Sequence, residues 1–274
     1  MFNKKVVSFL LMSNFLKRFL TSLVLVPILF FGIFKGEYIF LLFVTLVIIV
    51  SFNELSKIII NKDPGQLLLG YIVTLSIPIA SYIDIELFIN ISLFLIILYF
   101  VRIIYKKISV SNFWSSYIFI SLYTAFGLSF AIIIRNEENG LILVCIPIII
   151  SSVNDIMAYL IGKNFGQNLA FPNVSPNKTF EGTFAGIISS IISSYLLFSY
   201  LDINIGLFKM IFVGLIISLM GIFGDFFESL IKRKSGIKDT GNLLPGHGGM
   251  TDRVDSLIFI LPIFYLIILS INVV

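Results

Sequence analysis

Charge is what this sequence has least of. Only 12% of its 274 residues are Asp, Glu, Lys or Arg, against about a quarter in soluble domains, and that shortfall excludes an ordinary globular protein with a solvated surface. Cysteine is nearly absent as well. The single Cys145 excludes an internal disulfide and any Cys-rich metal site, and its place inside an apolar run marks it as a packing residue. There is one histidine, His247. A solitary His is more often a hydrogen-bonding turn residue than a base. No repeat of solenoid period and no low-complexity tract interrupts the chain. What is abundant is apolar: 58% of the residues, spread over the whole length. The length alone would allow one or two soluble domains. The composition instead predicts an all-α integral membrane protein, a single polytopic bundle.

A helix needs about 20 residues to cross the hydrocarbon core of a bilayer. Nine stretches are candidates: Phe19–Phe34, Tyr38–Phe52, Leu67–Ile83, Leu87–Ile104, Phe113–Ile134, Leu141–Gly162, Gly182–Leu201, Leu207–Gly224 and Leu257–Val274. Tyr38–Phe52 is short, which leaves open a re-entrant pairing with the first stretch. The basic residues test the count independently. Of the 19 Lys and Arg, all but Lys35, Arg135 and Lys209 fall on alternate connections, among them Lys57, Lys62, Lys106, Lys107, Lys163 and Lys178. Under the positive-inside rule this asymmetry predicts a cytoplasmic N-terminus, cytoplasmic sixth and eighth loops and an external C-terminus. The net charge of +4 therefore does not point to nucleic acid, because the cations sit between apolar segments. Met1–Leu16 has a basic start and a short apolar stretch but no small-residue cleavage pattern, and is expected to be an interfacial lead-in. We divide the chain into N-terminal helices, 1–104, and a catalytic region, 105–274, with loops 163–181 and 225–256 facing the cytoplasm.

Only those two loops carry unusual chemistry. Asp155 lies inside an apolar helix, where a carboxylate costs about 2.5–3.5 kcal/mol to insert and marks a functional site by default. Asp155, Tyr159 and Lys163 are spaced i, i+4, i+8 and line one helical face; the alternative is a structural ion pair between helices. Asp225 and Glu228 are three apart, Lys232 is seven from Asp225 so that all three can share a helical face, and Asp252 and Asp255 are again three apart. Paired acids at two helix ends suit a hard divalent cation completed by a nucleotide. Capping charge would account for Asp252 but not for Asp225 beside Gly224 in an apolar helix. The expected metal ligands are Asp225, Asp252 and Asp255. Gly241, Gly246, Gly248 and Gly249 form a loop whose backbone N–H groups could approach an anion, ringed by Lys232, Arg233, Lys234, Lys238 and Arg253. This is the composition of a polyphosphate site; a basic loop drawn to anionic lipid is the plainer reading.

These residues also resemble a known family. Ser229-x-x-Lys232-Arg233, Lys238-Asp239-x-Gly241 and Pro245-Gly246-His247-Gly248-Gly249-x-x-Asp252-Arg253-x-Asp255 are similar to the signature of the phosphatidate cytidylyltransferases, or CDP-diacylglycerol synthases. Gly224-Asp225-x-x-Glu228, Asp155-x-x-Ala-Tyr159, Phe165-Gly166 and Ser175-Pro176-x-Lys178-Thr179-x-Glu181-Gly182 belong to the same likeness, which runs from about Asn154 to Ser256. Gln167 departs from it, standing where a basic residue is expected. The resemblance implies that CTP and phosphatidic acid are converted to CDP-diacylglycerol and pyrophosphate by a membrane-embedded homodimer, in a bacterial inner membrane. It also implies a divalent metal, Mg²⁺, with a second cation left open. On this reading Asp225, Asp252, Lys178, Lys232 and Arg253 are catalytic. Ser175, Thr179, Arg233, Lys238, Asp239, Gly246, His247, Gly248 and Gly249 contact the nucleotide, while Asp155 and Tyr159 line the lipid headgroup cavity. Two other readings share some features: a CTP-dependent polyprenol kinase of the dolichol-kinase type, and an ion-coupled transporter. The Asp-Gly-x-x-Ala-Arg pattern of CDP-alcohol phosphotransferases is missing.

Overall fold

The structure, a computed structural model, describes residues 14–59, 64–104, 113–172, 174–203, 205–246 and 248–271. His247, Lys62, Lys106, Lys107, most of the lead-in segment and the last three residues of the ninth expected span lie outside the described residues. Among the described residues the chain forms nine helical rods and one small hairpin. The first four rods are α1 (Asn14–Lys35), α2 (Glu37–Ile59), α3 (Pro64–Ile83) and α4 (Ile85–Ile104). The fifth is continuous but changes pitch: α5 (Phe113–Ser121), a π turn over Leu122–Phe126, and α6 (Gly127–Asn136). Then follow α7 (Gly140–Phe165), the antiparallel strands β1 (Leu169–Phe171) and β2 (Ser175–Thr179), α8 (Phe180–Tyr200), α9 (Leu207–Lys234) and α10 (Thr251–Ser270). Seven rods are long and apolar enough to cross a membrane, and α1 and α3 add the shorter apolar runs Leu20–Lys35 and Leu67–Ile83. The architecture is the all-α polytopic bundle that the apolar pattern predicts.

Several boundaries move, each for the same reason. Apolar sequence ends where the hydrocarbon ends, whereas backbone hydrogen bonding continues as long as the polar side chains find partners. Thus α2 does not stop at Phe52; it runs 23 residues to Ile59, which removes the reason for a re-entrant pair. Helix α9 continues ten residues past Gly224 to Lys234, and α10 begins at Thr251 rather than Leu257. All the carboxylates of interest in loop eight except Asp239 therefore stand on helices.

The contacts sort the rod ends into two sets. At one end Arg135 Nε donates to the carbonyl of Ile33 at 2.7 Å, Tyr38 packs on Tyr82, and Tyr265 donates to Glu137. At the other, Thr21 donates to the carbonyl of Pro245, Arg233 donates to that of Val174, and Glu54 accepts from Met250 and Thr251. This division matches the alternation of the basic residues. The core runs along the fifth rod, where Ile120, Ile132 and Ile134 are fully buried and Phe126 and Phe130 pack on Phe88.

Lipid tails are as apolar as the core, so tight packing rather than hydrophobic burial joins such helices. Two glycines make the decisive approaches. A Cβ on Gly182 of α8 would lie 2.6 Å from the carbonyl oxygen of Ala158 in α7. A Cβ on Gly224 of α9 would lie 2.5 Å from that of Asp255 in α10. The second approach brings the acidic ends of α9 and α10 together.

Candidate active site

Where α7, α8 and α9 meet, Asn154 joins them. Its Oδ1 accepts from Ser218 of α9 at 2.8 Å and Ser190 of α8 at 3.3 Å, and its Nδ2 donates to Asp155 at 3.1 Å. Toward the loop-eight end from this node lies a cavity of about 560 Å³. Asp155, Tyr159, Lys163, Ser175, Lys178 and Asp225 are among its walls. The i, i+4, i+8 face of α7 is thus one wall, and the Lys163 ammonium lies 5.6 Å from the centre of the Tyr159 ring.

The opposite wall is built by the Ser175–Gly182 segment, whose residues divide the work. Ser175 and Lys178 line the cavity from β2. Thr179 lines it too, but its hydroxyl caps α8 by accepting from Gly182 N–H at 3.2 Å, which satisfies one of the donors that every helix start leaves free. Glu181 reaches back to the backbone and side chain of Asn168, fixing the hairpin. Lys178 makes a close ion pair with Asp225. Burial lowers the Lys178 pKa from its usual value, against the opposing pull of Asp155 and Asp255.

Asp225, Glu228 and Asp255 offer oxygens that all lie within 4.8 Å of one another. Glu228 is fully buried and Asp255 nearly so. Glu228 Oε2 pairs with Lys232 at 2.6 Å, but its Oε1 is buried without a hydrogen-bond partner. Three crowded carboxylates repel one another, and an unsatisfied buried acceptor adds to the cost. Hard oxygen donors so placed fit a divalent cation.

Asp252 stands elsewhere. The geometry brings Asp225 together with Glu228 and Asp255, not with Asp252. Asp252 Oδ1 accepts from Lys232 at 2.8 Å, and its Oδ2 accepts from the N–H groups of Thr240 and Gly249 at 3.0 and 2.8 Å. Lys232 therefore bridges α9 and α10 through Glu228 and Asp252. Gly249 donates to a carboxylate of the chain itself, so its backbone N–H is already committed to an anion within the protein. Gly246 and Gly248 adopt φ of +77° and +86°, turns that favour glycine. Arg233 donates to the carbonyls of Val174 and Ile237 and straps the two loops together. Lys238, Asp239 and Arg253 are exposed beside the site.

Sequence reasoning missed Glu54. It lies two residues beyond the apolar stretch Tyr38–Phe52 and is 7% exposed, yet among the described residues its hydrogen bonds all go to loop eight. The available signal was an acid at the end of an apolar span, which is a functional candidate in its own right. Glu228 was visible as Asp225's neighbour, but its place in the acidic cluster was not foreseen.

The fold and site define a class: a multi-pass membrane protein with a polar cavity, an acidic cation-type cluster and attendant lysines at one end of the bundle. Comparison with known proteins agrees. A sequence model of the cytidylyltransferase family matches residues 16–271, and the chain belongs to that family. It is 36% identical over 163 residues to a phosphatidate cytidylyltransferase of Aquifex aeolicus, 60% of each chain. Proteins with the same name in Staphylococcus saprophyticus and Staphylococcus aureus are 29% and 31% identical over 145 and 144 residues, 53% of this chain in each case. The matched segments span 60%, 56% and 55% of these three relatives.

Proposed function

We propose that this protein is a phosphatidate cytidylyltransferase, transferring CMP from CTP to phosphatidic acid. The observation that carries this reading is the meeting of Asp225, Glu228 and Asp255 beside Lys178 and Lys232, at the edge of a cavity walled by Asp155 and Tyr159. The names of the relatives support the same substrates. A phosphate oxygen of the lipid attacks the α-phosphorus of CTP. The new P–O bond forms as the bond from that phosphorus to the α,β-bridging oxygen breaks, and the electron pair leaves with pyrophosphate.

Asp225, Glu228 and Asp255 would hold Mg²⁺, which when bound neutralises charge on phosphate oxygens; a second cation is left open. Lys178 exchanges its Asp225 partner for a substrate phosphate, and Arg253 adds positive charge from the first turn of α10. Asp252 acts through Lys232, holding that ammonium between α9 and α10. Ser175 donates to the nucleotide from β2, with Lys238, Asp239, Gly246 and Gly248 around it. Thr179, Arg233 and Gly249 keep the walls in place. Asp155 and Tyr159 accommodate the lipid headgroup. The chemistry belongs to 105–274, and the helices before it serve as a scaffold. The site faces the cytoplasm of a bacterial inner membrane, following the basic loops, and the protein works as a homodimer, as its likeness to the family implies.

The test supplies membranes containing the protein with phosphatidic acid and CTP labelled on the base. Label recovered in lipid, lost with EDTA and restored by Mg²⁺, is the expected result. Transfer of the γ-phosphate to a polyprenol with release of CDP would replace this reading with a lipid kinase. Ion-coupled uptake without CTP turnover would replace it with a transporter.

A further inference from the structure

Glu54 is a carboxylate of the second helix that reaches residues nearly two hundred positions later. Its Oε1 accepts from Met250 N–H at 2.9 Å, and its Oε2 accepts from the N–H and hydroxyl of Thr251, both at 2.9 Å. These two N–H groups stand at the start of α10, where a helix leaves its donors without intrahelical partners and carries a partial positive charge. The hydroxyl of Thr240 lies between two acids, 3.3 Å from Glu54 Oε2 and 3.0 Å from Asp252 Oδ2. The backbone closes around the carboxylate on both sides: a Cβ on Gly241 would lie 2.8 Å from Glu54 Oε1, and one on Gly249 would lie 2.6 Å from Oε2. Thr240 and Thr251 are buried with it.

We propose that Glu54 is a positioning residue for the nucleotide half of the site: it clamps the 240–251 segment onto α2 and so sets where Asp252, Lys232 and the start of α10 stand. This rests on the functional reading above. The chain of contacts runs from Glu54 through Thr240 to Asp252, then through Lys232 to Glu228 in the acidic cluster. Among the described residues the hydrogen bonds of Glu54 all go to Thr240, Met250 and Thr251 and none reaches the α7 wall, so the lipid side of the cavity is independent of it. Both charge and reach matter. In Glu54→Gln one oxygen becomes an NH₂, which sets donor against donor at Met250 or Thr251. In Glu54→Asp the acid remains but falls one methylene short.

The experiment uses the purified full chain. For Glu54→Gln the expected result is a fall of about a hundredfold in kcat/KM for CTP, the scale on which a misplacement of about 1 Å acts, with KM for phosphatidic acid unchanged. Cleavage after Lys238 by a Lys-specific protease should become about tenfold faster, the change that losing one charge-assisted hydrogen bond produces in a local opening equilibrium. Glu54→Asp should fall in the same direction. Wild-type CTP kinetics in Glu54→Gln, or a rise in KM for phosphatidic acid as large as that for CTP, would overturn the proposal. Should Glu54→Gln fail to fold, Thr240→Val carries the test alone: a selective loss for CTP supports the clamp and unchanged kinetics overturn it. A wild-type protein that turns over no CTP sinks the functional reading instead, and Lys238 cleavage then decides the clamp separately.

Discussion

The two ends of the bundle hold their ionisable groups differently. At the α6–α7 end, Arg135 donates to the carbonyl of Ile33, and Glu137 accepts from Tyr265 at 3.2 Å. Each such contact fastens one rod to another and stops there. At the opposite end Glu54, Asp225, Glu228, Asp252 and Asp255 are linked through Lys178, Lys232 and the glycine-rich loop, and three of the carboxylates crowd within 4.8 Å. A bundle needs only the first arrangement to hold together. The second places more negative charge than the two ammonium groups neutralise, and packing alone gives no reason for it.

The contrast can be broken at its strongest point by Asp225→Asn. Turnover should fall about a thousandfold, the upper range for removing a group that stabilises the transition state, while the purified protein keeps its melting temperature. Near-normal turnover would leave the acidic cluster as a structural feature. Lys232→Met comes next. It strands Glu228 and Asp252 without their shared cation, and removing one member of a buried ion pair costs roughly 3–5 kcal/mol. Both melting temperature and activity should drop, and a variant that loses neither would detach Lys232 from the site. At the other end Tyr265→Phe removes a single hydrogen bond to a charged group, about 1.5–3 kcal/mol at most. It should lower the melting temperature slightly with CTP turnover unchanged. Lost turnover there would mean that the two ends are coupled.

Much of the architecture is legible along the chain because the bilayer imposes its condition on every residue of a span. Nine apolar stretches become nine rods among the described residues. The legible part of the site is also local: Asp225 and Glu228 share one face of α9, and Asp155 and Tyr159 one face of α7. What fails is anything decided across the bundle. Helix α4 and the fifth rod are similarly apolar, yet 17% of an 18-residue stretch within Ile85–Ile103 is buried against 78% of one within Ser116–Asn136; apolarity cannot distinguish lipid from protein as a neighbour. The β1–β2 hairpin and the π turn leave no mark that periodicity detects.

The sequence by itself determined that this chain lives in a membrane, where its apolar stretches lie, and which short segments carry acids, cations and glycines, since each of those is a property of neighbouring residues. Only the tertiary structure decided which acids meet. Asp225 joined Glu228 and Asp255 because Gly224 lets α9 press against α10, whereas Asp252 was drawn to Lys232 and the loop amides. Glu54 was drawn to the same loop from 186 or more residues away. Such pairings depend on distances between helices, which no local pattern encodes.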